Sequence, residues 1–435
     1  MPFRVYGGRA LLGLLALAAA SGCDVRQEVP RPRFANGGEL RDADPLAPNV
    51  LQFVRGMYSV TSGAKRFGQT VAIHSVRNAL SIFAGVNDNY ALLRAGCLDS
   101  RTRLVLEGFW RYAATADTGL IRLELGPPEL AAALCSENGP GAVALPPARF
   151  SGETGFGSRA PSEATSFDYD HALIDPEARF FIVAHHGACQ TIDDCGVSEN
   201  SLESIRQVEI FGASVVEVDV RLTADRVPIL FHDDSFSPRL NNGVYCHGGV
   251  DQFTLAQIRA LCRLRYNEQI PTLEQALQTV IDQTTLAGVW LDVKVGEGVG
   301  PTLELMARYN AEAQGKNRKL GIVIGLGEQS VLDAYSALAP HPPGTRCLVE
   351  LEPNDVRNAN CDFWGPRWTR GPMSSEVRAL QAEGRSVVYW SIDEADYIDL
   401  FLTAATPNGM LSSRPGLLFH RYQTVGTVPP PGPPL

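Results

Sequence analysis

Residues Phe180–Asp234 read FFIVAHHGACQTIDDCGVSENSLESIRQVEIFGASVVEVDVRLTADRVPILFHDD. The run predicts a strand, a helix, a second strand, a short turn and a third strand. The first apolar run, Phe180–Ala184, stops at His185-His186-Gly187. The second, Ser214–Arg221, alternates: Val216, Val218 and Val220 take one face and Glu217, Asp219 and Arg221 the other, because side chains along a strand point to opposite faces with period two. The third, Val227–Phe231, ends at His232-Asp233. Carboxylates buried unpaired on such a strand are costly, so a cation or firm hydrogen bonds must answer Glu217 and Asp219. Polar groups gathered at the carboxyl ends of successive strands are how parallel sheets and barrels build active sites.

Around this stretch the chain has 435 residues, 45% hydrophobic and 20% charged. That is ordinary globular composition, long enough for a large α/β domain and a second one. The net charge of −10 with no long basic run disfavours nucleic acid, whose phosphates need clustered Lys and Arg. Residues 1–23 read as an export signal: Arg4 and Arg9 precede the apolar run Leu11–Ala20, which is too short to span a bilayer. The run ends Ala20-Ser21-Gly22-Cys23, which resembles a bacterial lipobox with Ala20 where Leu is usual. The expectation is cleavage before Cys23, lipidation of that residue, and a lipoprotein held on a periplasmic or outer membrane face. An ordinary secretory signal with an incidental Cys23 is the alternative.

Residues 24–47 read as a flexible tether. Residues 48–150 show short alternating runs (Thr70–Ile73, Leu80–Phe83, Tyr90–Leu93, Arg103–Glu107, Gly119–Leu125) separated by turn residues, which predicts a small β-rich domain, a sandwich or barrel. Its interleaved Glu107–Tyr112 suits either a ligand-binding face or a packed core. Residues 151–177, rich in Gly, Ser and Pro, read as a linker, and 425–435 as a disordered Pro-rich tail. Apart from Cys23 there are eight cysteines, an even number that suits disulfides in an exported chain. Sequential pairing gives Cys97–Cys135, Cys189–Cys195, Cys246–Cys262 and Cys347–Cys361; no CxxC motif suggests zinc.

His185, Glu217-Val218-Asp219 and His232-Asp233 together resemble the glycerophosphodiester phosphodiesterases. Ser198-Glu199-Asn200 is similar to that family's Pro-Glu-Asn turn and Leu222-Thr223-Ala224-Asp225 to its Leu-Thr-x-Asp. The likeness resumes at Ile270–Glu274, Leu291-Asp292-Val293-Lys294, Tyr389-Trp390-Ser391 and Gly409–Pro415. The resemblance implies a (β/α)8 TIM barrel over 178–424, placed after the β-rich domain. Further strands are expected at Val289–Val295, Leu320–Leu326, Arg346–Leu351, Cys361–Trp364, Ser386–Ile392 and Met410–Ser412. With the first three these make nine candidates for eight places, and Cys361–Trp364 is the one expected to be accessory.

Glu217 with Asp219, and Asp292 with Lys294, share faces by period two. Three carboxylates at a barrel mouth repel one another unless a divalent cation neutralises them, and hard oxygen ligands suit Ca²⁺ or Mg²⁺. The resemblance implies the same metal set, Glu217, Asp219 and Asp292, with His185 and His232 as the acid–base pair. Lys294 would add positive charge at the substrate phosphate, and Trp390 would wall the pocket. Two departures stand out. His186 occupies the position of a phosphate-binding Arg, leaving Arg221 or Arg414 as possible substitutes. Asp292 replaces the usual Glu, as in the sphingomyelinase D-like branch, which also has Lys two places on. The implied activity is hydrolysis of a glycerophosphodiester to an alcohol and glycerol 3-phosphate. The alternatives are a phospholipase D-like enzyme on intact phospholipid and a non-catalytic surface lipoprotein.

Overall fold

The computed structural model describes residues 31–115, 117–141, 144–174, 180–187, 195–426, 428–430 and 432–433. The export signal, the lipobox and Cys23 lie outside them. Among the described residues no helix is long and apolar enough to cross a membrane.

The first domain is a closed antiparallel barrel. Its strands are β1 (Gly56–Ser62), β2 (Thr70–Val76), β3 (Ala79–Ala84), β4 (Asn89–Leu98), β5 (Arg103–Tyr112), β6 (Thr118–Gly126), β7 (Arg149–Thr154) and β8 (Glu163–His171). Each pairs with the next, and β8 returns to β1. Closure removes the exposed edges that an eight-stranded meander would otherwise leave. The expected linker at 151–177 is therefore a misreading. Its Ser151 and Gly152 lie in β7 and its Ser166 in β8, and without these strands the barrel cannot close. The aromatic run in β5 is core: Trp110 is fully buried and donates its Nε1–H to Gly155 O at 3.0 Å, with the Arg66 guanidinium 4.4 Å from its ring.

The tether expectation also fails over its described part. Asp44 forms a β-bridge with Cys97, and Leu46 is buried in the core of this barrel. The Cys97–Cys135 disulfide ties β4 to the helix Pro128–Cys135.

The second domain is a parallel barrel. β9 (Phe181–Ala184) and β10 (Val215–Leu222) are neighbours in it; β11 (Pro228–Leu230) folds back antiparallel on β10. Two short ladders follow, β12 (Ser235–Phe236) with β14 (Gly248–Gly249) and β13 (Asn241–Asn242) with β15 (Arg263–Leu264), pinned by Cys246–Cys262. The barrel resumes with β16 (Gly288–Val293), β17 (Gly321–Leu326), β18 (Arg346–Val349), β19 (Phe363–Trp364), β20 (Ser386–Tyr389) and β21 (Gly409–Ser412), which pairs with β9. Helices follow most strands and cover the outside.

The accessory strand among the nine is β11, not Cys361–Trp364. The turn Thr223–Arg226 is too short for the crossover that a parallel neighbour requires, so Val227–Phe231 reverses onto β10. β19, only two residues long, holds its barrel place through parallel pairing with β18 and β20. Cys347–Cys361 links β18 to the segment entering β19. Cys195 is disulfide-bonded, but Cys189 lies outside the described residues. The tail is not free either: Pro430 O accepts a hydrogen bond from Asn408 Nδ2 at 3.0 Å.

The two barrels share a core. Met57, Ala72, Phe83 and Tyr90 of the first belong to one buried cluster with Phe180, Ile205, Phe211 and Phe419 of the second.

Candidate active site

Strand parity builds the site. The barrel interior is plugged by Phe181, Val183, Val215, Trp290, Val323, Leu348, Phe363, Val388 and Leu411. Two residues further along the same faces, toward the carboxyl ends, stand His185, Glu217, Asp292, Glu350, Trp390 and Ser413. Asp219 and Lys294 follow another two residues on. Register then aligns neighbours: Asp219 pairs with Asp292 across β10 and β16. Val216 pairs with Ala184 and Ser412 with Ala184, which brings Glu217 and Ser413 level with His185. A cavity of about 320 Å³ opens here, lined by His185, Glu217, His232, Lys294, Glu350 and Trp390 among others. A larger cavity of about 520 Å³, lined by Arg55, His74 and Glu209, lies at the opposite strand ends between the two barrels, away from this chemistry.

The three expected metal ligands meet. Glu217, Asp219 and Asp292 each offer an oxygen, all within 4.8 Å of one another. Glu217 Oε2 accepts the His186 backbone N–H at 2.8 Å; among the described residues Glu217 Oε1 is buried without a hydrogen-bond partner. Asp219 Oδ2 accepts from Asn200 Nδ2 at 2.7 Å, and Asn200 Oδ1 accepts the Asp219 N–H at 3.0 Å. Lys294 Nζ lies 2.8 Å from Asp219 Oδ1 and also pairs with Asp292. Burial raises the Glu217 carboxyl well above its ordinary range, and Asp219 and Asp292 push it the same way. Burial also raises Asp292, against the pull of Lys294. For Asp219 burial is outweighed by His186 and Lys294, which hold it low. Glu350 is raised strongly by burial, with Asp292 adding to it. Among the described residues, Lys294 is the fixed cation in direct contact with this cluster, paired with Asp219 and Asp292. The excess of acidic oxygen and the orphaned Glu217 Oε1 suit a hard divalent cation at Glu217, Asp219 and Asp292.

His185 Nδ1 lies 3.1 Å from Ser413 Oγ. Burial pushes this imidazole down to about 4, although Asp219 and Asp393 pull it upward; the neutral ring is the form that accepts a proton. His232 is half-exposed, with Nδ1 2.9 Å from Asp233 Oδ1. His186 sits between them, its ring centre 3.7 Å from that of His185 and 4.9 Å from that of His232. Its backbone is left-handed, φ +49°, a conformation in which His is enriched among non-Gly residues. Its side chain is 2% exposed, with Nε2 3.2 Å from Asp219 and Nδ1 3.6 Å from Glu199. The structure therefore places His186 among the carboxylates.

Neither substitute Arg reaches the cavity. Arg221 Nε donates to His232 O at 2.9 Å, holding the loop that carries His232. Arg414 pairs with Asp88 of the antiparallel barrel. Trp390 walls the cavity as expected and anchors its Nε1–H on Gly365 O at 2.7 Å.

Sequence reading missed Glu350, Ser413 and the role of Asn200. The first two were findable, because they extend the inward parity of Leu348 and Leu411 by two. Asn200 read only as part of a turn; Ser201 caps the helix that follows, its side chain accepting the Ser204 N–H. The paired hydrogen bonds between Asn200 and Asp219 orient that carboxylate, and partners of this kind tune metal affinity by about 10–100-fold where the carboxylate is a ligand. Asn200→Ala is expected to weaken Ca²⁺ or Mg²⁺ binding by about that factor, read by titration calorimetry.

The family profile described as "Glycerophosphoryl diester phosphodiesterase family" matches residues 185–338, the segment that contains both histidines and all three carboxylates. The parallel barrel belongs to the glycerophosphodiester phosphodiesterase family. With it the chain takes the enzyme class of that family, the phosphoric diester hydrolases. A Mycobacterium tuberculosis relative described as "Probable glycerophosphodiester phosphodiesterase 2" is 26% identical over 232 residues, 50% of this chain and 83% of the relative. Bovine glycerophosphodiester phosphodiesterase 1 is 34% identical over 130 residues, 28% of this chain and 36% of the relative; the match thus spans little more than a third of that protein. An Oleispira antarctica phosphodiesterase, solved with the product sn-glycerol-3-phosphate, is 20% identical with a TM-score of 0.44, covering 55% of this chain and 95% of that chain. The family profile leaves the antiparallel barrel unmatched.

Proposed function

We propose that this chain hydrolyses glycerophosphodiesters to an alcohol and glycerol 3-phosphate at the mouth of the parallel barrel. The observation that carries the reading is the gathering of His185 and His232 around His186, His185 within 4.8 Å of Glu217 and His232 within 4.8 Å of Asp219, the two carboxylates that also group with Asp292. A phosphodiester needs a base for the attacking hydroxyl and an acid for the departing alkoxide. His185, kept neutral by burial, takes the proton from the attacking water or neighbouring substrate hydroxyl as its oxygen bonds to phosphorus. His232, oriented by the contact of its Nδ1 with Asp233 Oδ1, gives a proton to the leaving oxygen as the second P–O bond breaks. Glu217, Asp219 and Asp292 would hold a divalent cation, which when bound polarises the phosphoryl oxygen. Lys294 supplies fixed positive charge beside them, and Trp390 shapes the wall against which the substrate lies.

A second reading, action on intact phospholipid, is favoured by Val244 and Tyr245. They are 79% and 75% exposed on the disulfide-pinned excursion that begins just after His232. An exposed apolar tip beside an active-site loop suits contact with a lipid surface. The proposed setting is an exported lipoprotein anchored through Cys23. The span from Cys23 to the bridged Asp44 is 21 residues (44 − 23), so the anchor would hold the barrels within about 70 Å of the bilayer, at about 3.4 Å per extended residue.

The test uses protein starting after Cys23 with disulfides intact. Glycerophosphocholine and glycerophosphoethanolamine are incubated with Ca²⁺, Mg²⁺ or chelator, and glycerol 3-phosphate is assayed. Release is expected with cation and is expected to vanish with chelator. Turnover of lysophosphatidylcholine but of neither deacylated diester would move the assignment to the second reading. No turnover of any of the three, with metal bound, would reject both.

A further inference from the structure

An ion pair among the described residues links the antiparallel barrel to the active-site end of the parallel one. Asp88 lies in the turn between β3 and β4, where Asn87 and Asp88 are both left-handed, φ +51° and +52°. The turn is pinned from behind, since Ala113 N–H donates to Asp88 O and Ala114 N–H to Asn87 O. Asn89, buried beside it, donates to Arg66 O at 2.9 Å. From this turn the Asp88 carboxylate meets the Arg414 guanidinium, with side chains only 12% and 11% exposed. The Arg414 guanidinium also donates to Asp393 O at 3.3 Å. Asp393 Oδ1 accepts both the Ser412 hydroxyl at 2.9 Å and the Ser413 N–H at 2.7 Å. The next residue in the path is Ser413, whose hydroxyl lies 3.1 Å from His185 Nδ1.

The support is rigid at its base. Phe83 packs on Phe419 with ring centres 5.4 Å apart, and Tyr90 on Phe211 at 5.5 Å. Ser81 Oγ donates to Ile210 O at 2.5 Å. A tightly packed interface transmits position, because interiors have little room to yield. A charge pair removed from water in this way is strongly disfavoured from opening by loss of one partner.

We propose that Asp88 is a positioning residue for His185, acting across the domain interface through Arg414 and Ser413. The first barrel is thereby a structural part of the active site, not a separate module. This rests on the catalytic role assigned to His185 above. Small errors in the placement of a proton-transfer group are costly because the reacting atoms must be aligned.

Asp88→Asn keeps the shape of the side chain and removes its charge. In the glycerophosphodiester assay it is expected to lower kcat about ten-fold, with KM changed less than about two-fold. Ser413→Ala is expected to lower kcat similarly, and the double variant to be no slower than the slower single one, since both changes act on one imidazole. Glu163→Gln, which loses the 2.9 Å pair with Arg66 inside the same barrel, is expected to leave kcat unchanged. In ¹⁵N-histidine NMR without substrate, the His185 Nδ1 resonance is expected to move in Asp88→Asn and Ser413→Ala alike. That readout separates the two ideas: a moved resonance in an enzyme inactive on every diester would sink the function and leave the coupling standing. Wild-type kcat in Asp88→Asn, losses that multiply in the double variant, or an unmoved resonance would each overturn the proposal. Should Asp88→Asn fail to fold, Arg414→Gln takes its place in the same measurements.

Discussion

His232→Ala is expected to lower kcat by about 10²–10⁴, the span seen when a positioned acid or base is removed, while the protein keeps its fold. His232 is half-exposed and follows β11 at the start of a disulfide-pinned excursion, so its removal opens no core cavity. Its backbone carbonyl still receives Arg221 Nε, which keeps the loop in place. Asp233 retains the two bonds from Arg239. Loss of kcat with the cation-induced rise in melting temperature intact is the expected pattern. A variant that loses both would make His232 a metal ligand, which its grouping with His186 and Asp219 within 4.8 Å permits geometrically; that outcome would reject the acid role.

Glu217→Gln separates metal binding from folding, with opposite signs. The amide oxygen can still accept the His186 N–H, so the turn at His185–Gly187 survives. What disappears is a buried carboxylate with an unanswered oxygen, whose desolvation is a cost the empty site bears. The cation-free variant is therefore expected to melt at or above the wild-type temperature. With a hundred-fold excess of cation over its Kd, the wild type gains about 2.7 kcal/mol, and the variant is expected to gain almost none of it. Hydrolysis should fall to the chelator-treated level. A variant that melts lower without cation, or that keeps the cation-dependent shift, would show that Glu217 is held by protein contacts alone. Such trade-offs between stability and function are common where acidic groups are crowded for a purpose.

Much of the site was legible before the fold was known. Period two put Glu217 with Asp219 and Asp292 with Lys294, and apolar runs ending in polar groups marked strand carboxyl ends. The same parity argument, carried through to every strand, would have found Glu350 and Ser413. Asn200 was legible as a turn but not as a partner of Asp219, because a sequence separation of 19 hides the contact. His186 was read by position in a motif; its real neighbours are Glu217 and Asp219 on β10, His232 beyond the end of β11 and Glu199 in a turn. The direction of a strand is not written in its periodicity, which is why Val227–Phe231 counts among the expected barrel strands and Cys361–Trp364 as the accessory one.

The sequence by itself determined the alternation that forms the strands, the shared faces of Glu217 with Asp219 and of Asp292 with Lys294, and the presence of a β-rich first domain. All of these depend on neighbours along the chain or on side-chain chemistry alone. Only the tertiary structure decided that residues 149–171 close a barrel, that Arg414 answers Asp88 instead of a substrate, and that the first domain reaches His185. Those outcomes depend on which surfaces meet, and a strand in a Gly- and Ser-rich segment exists only because partners on both sides supply the hydrogen bonds its own residues do not favour.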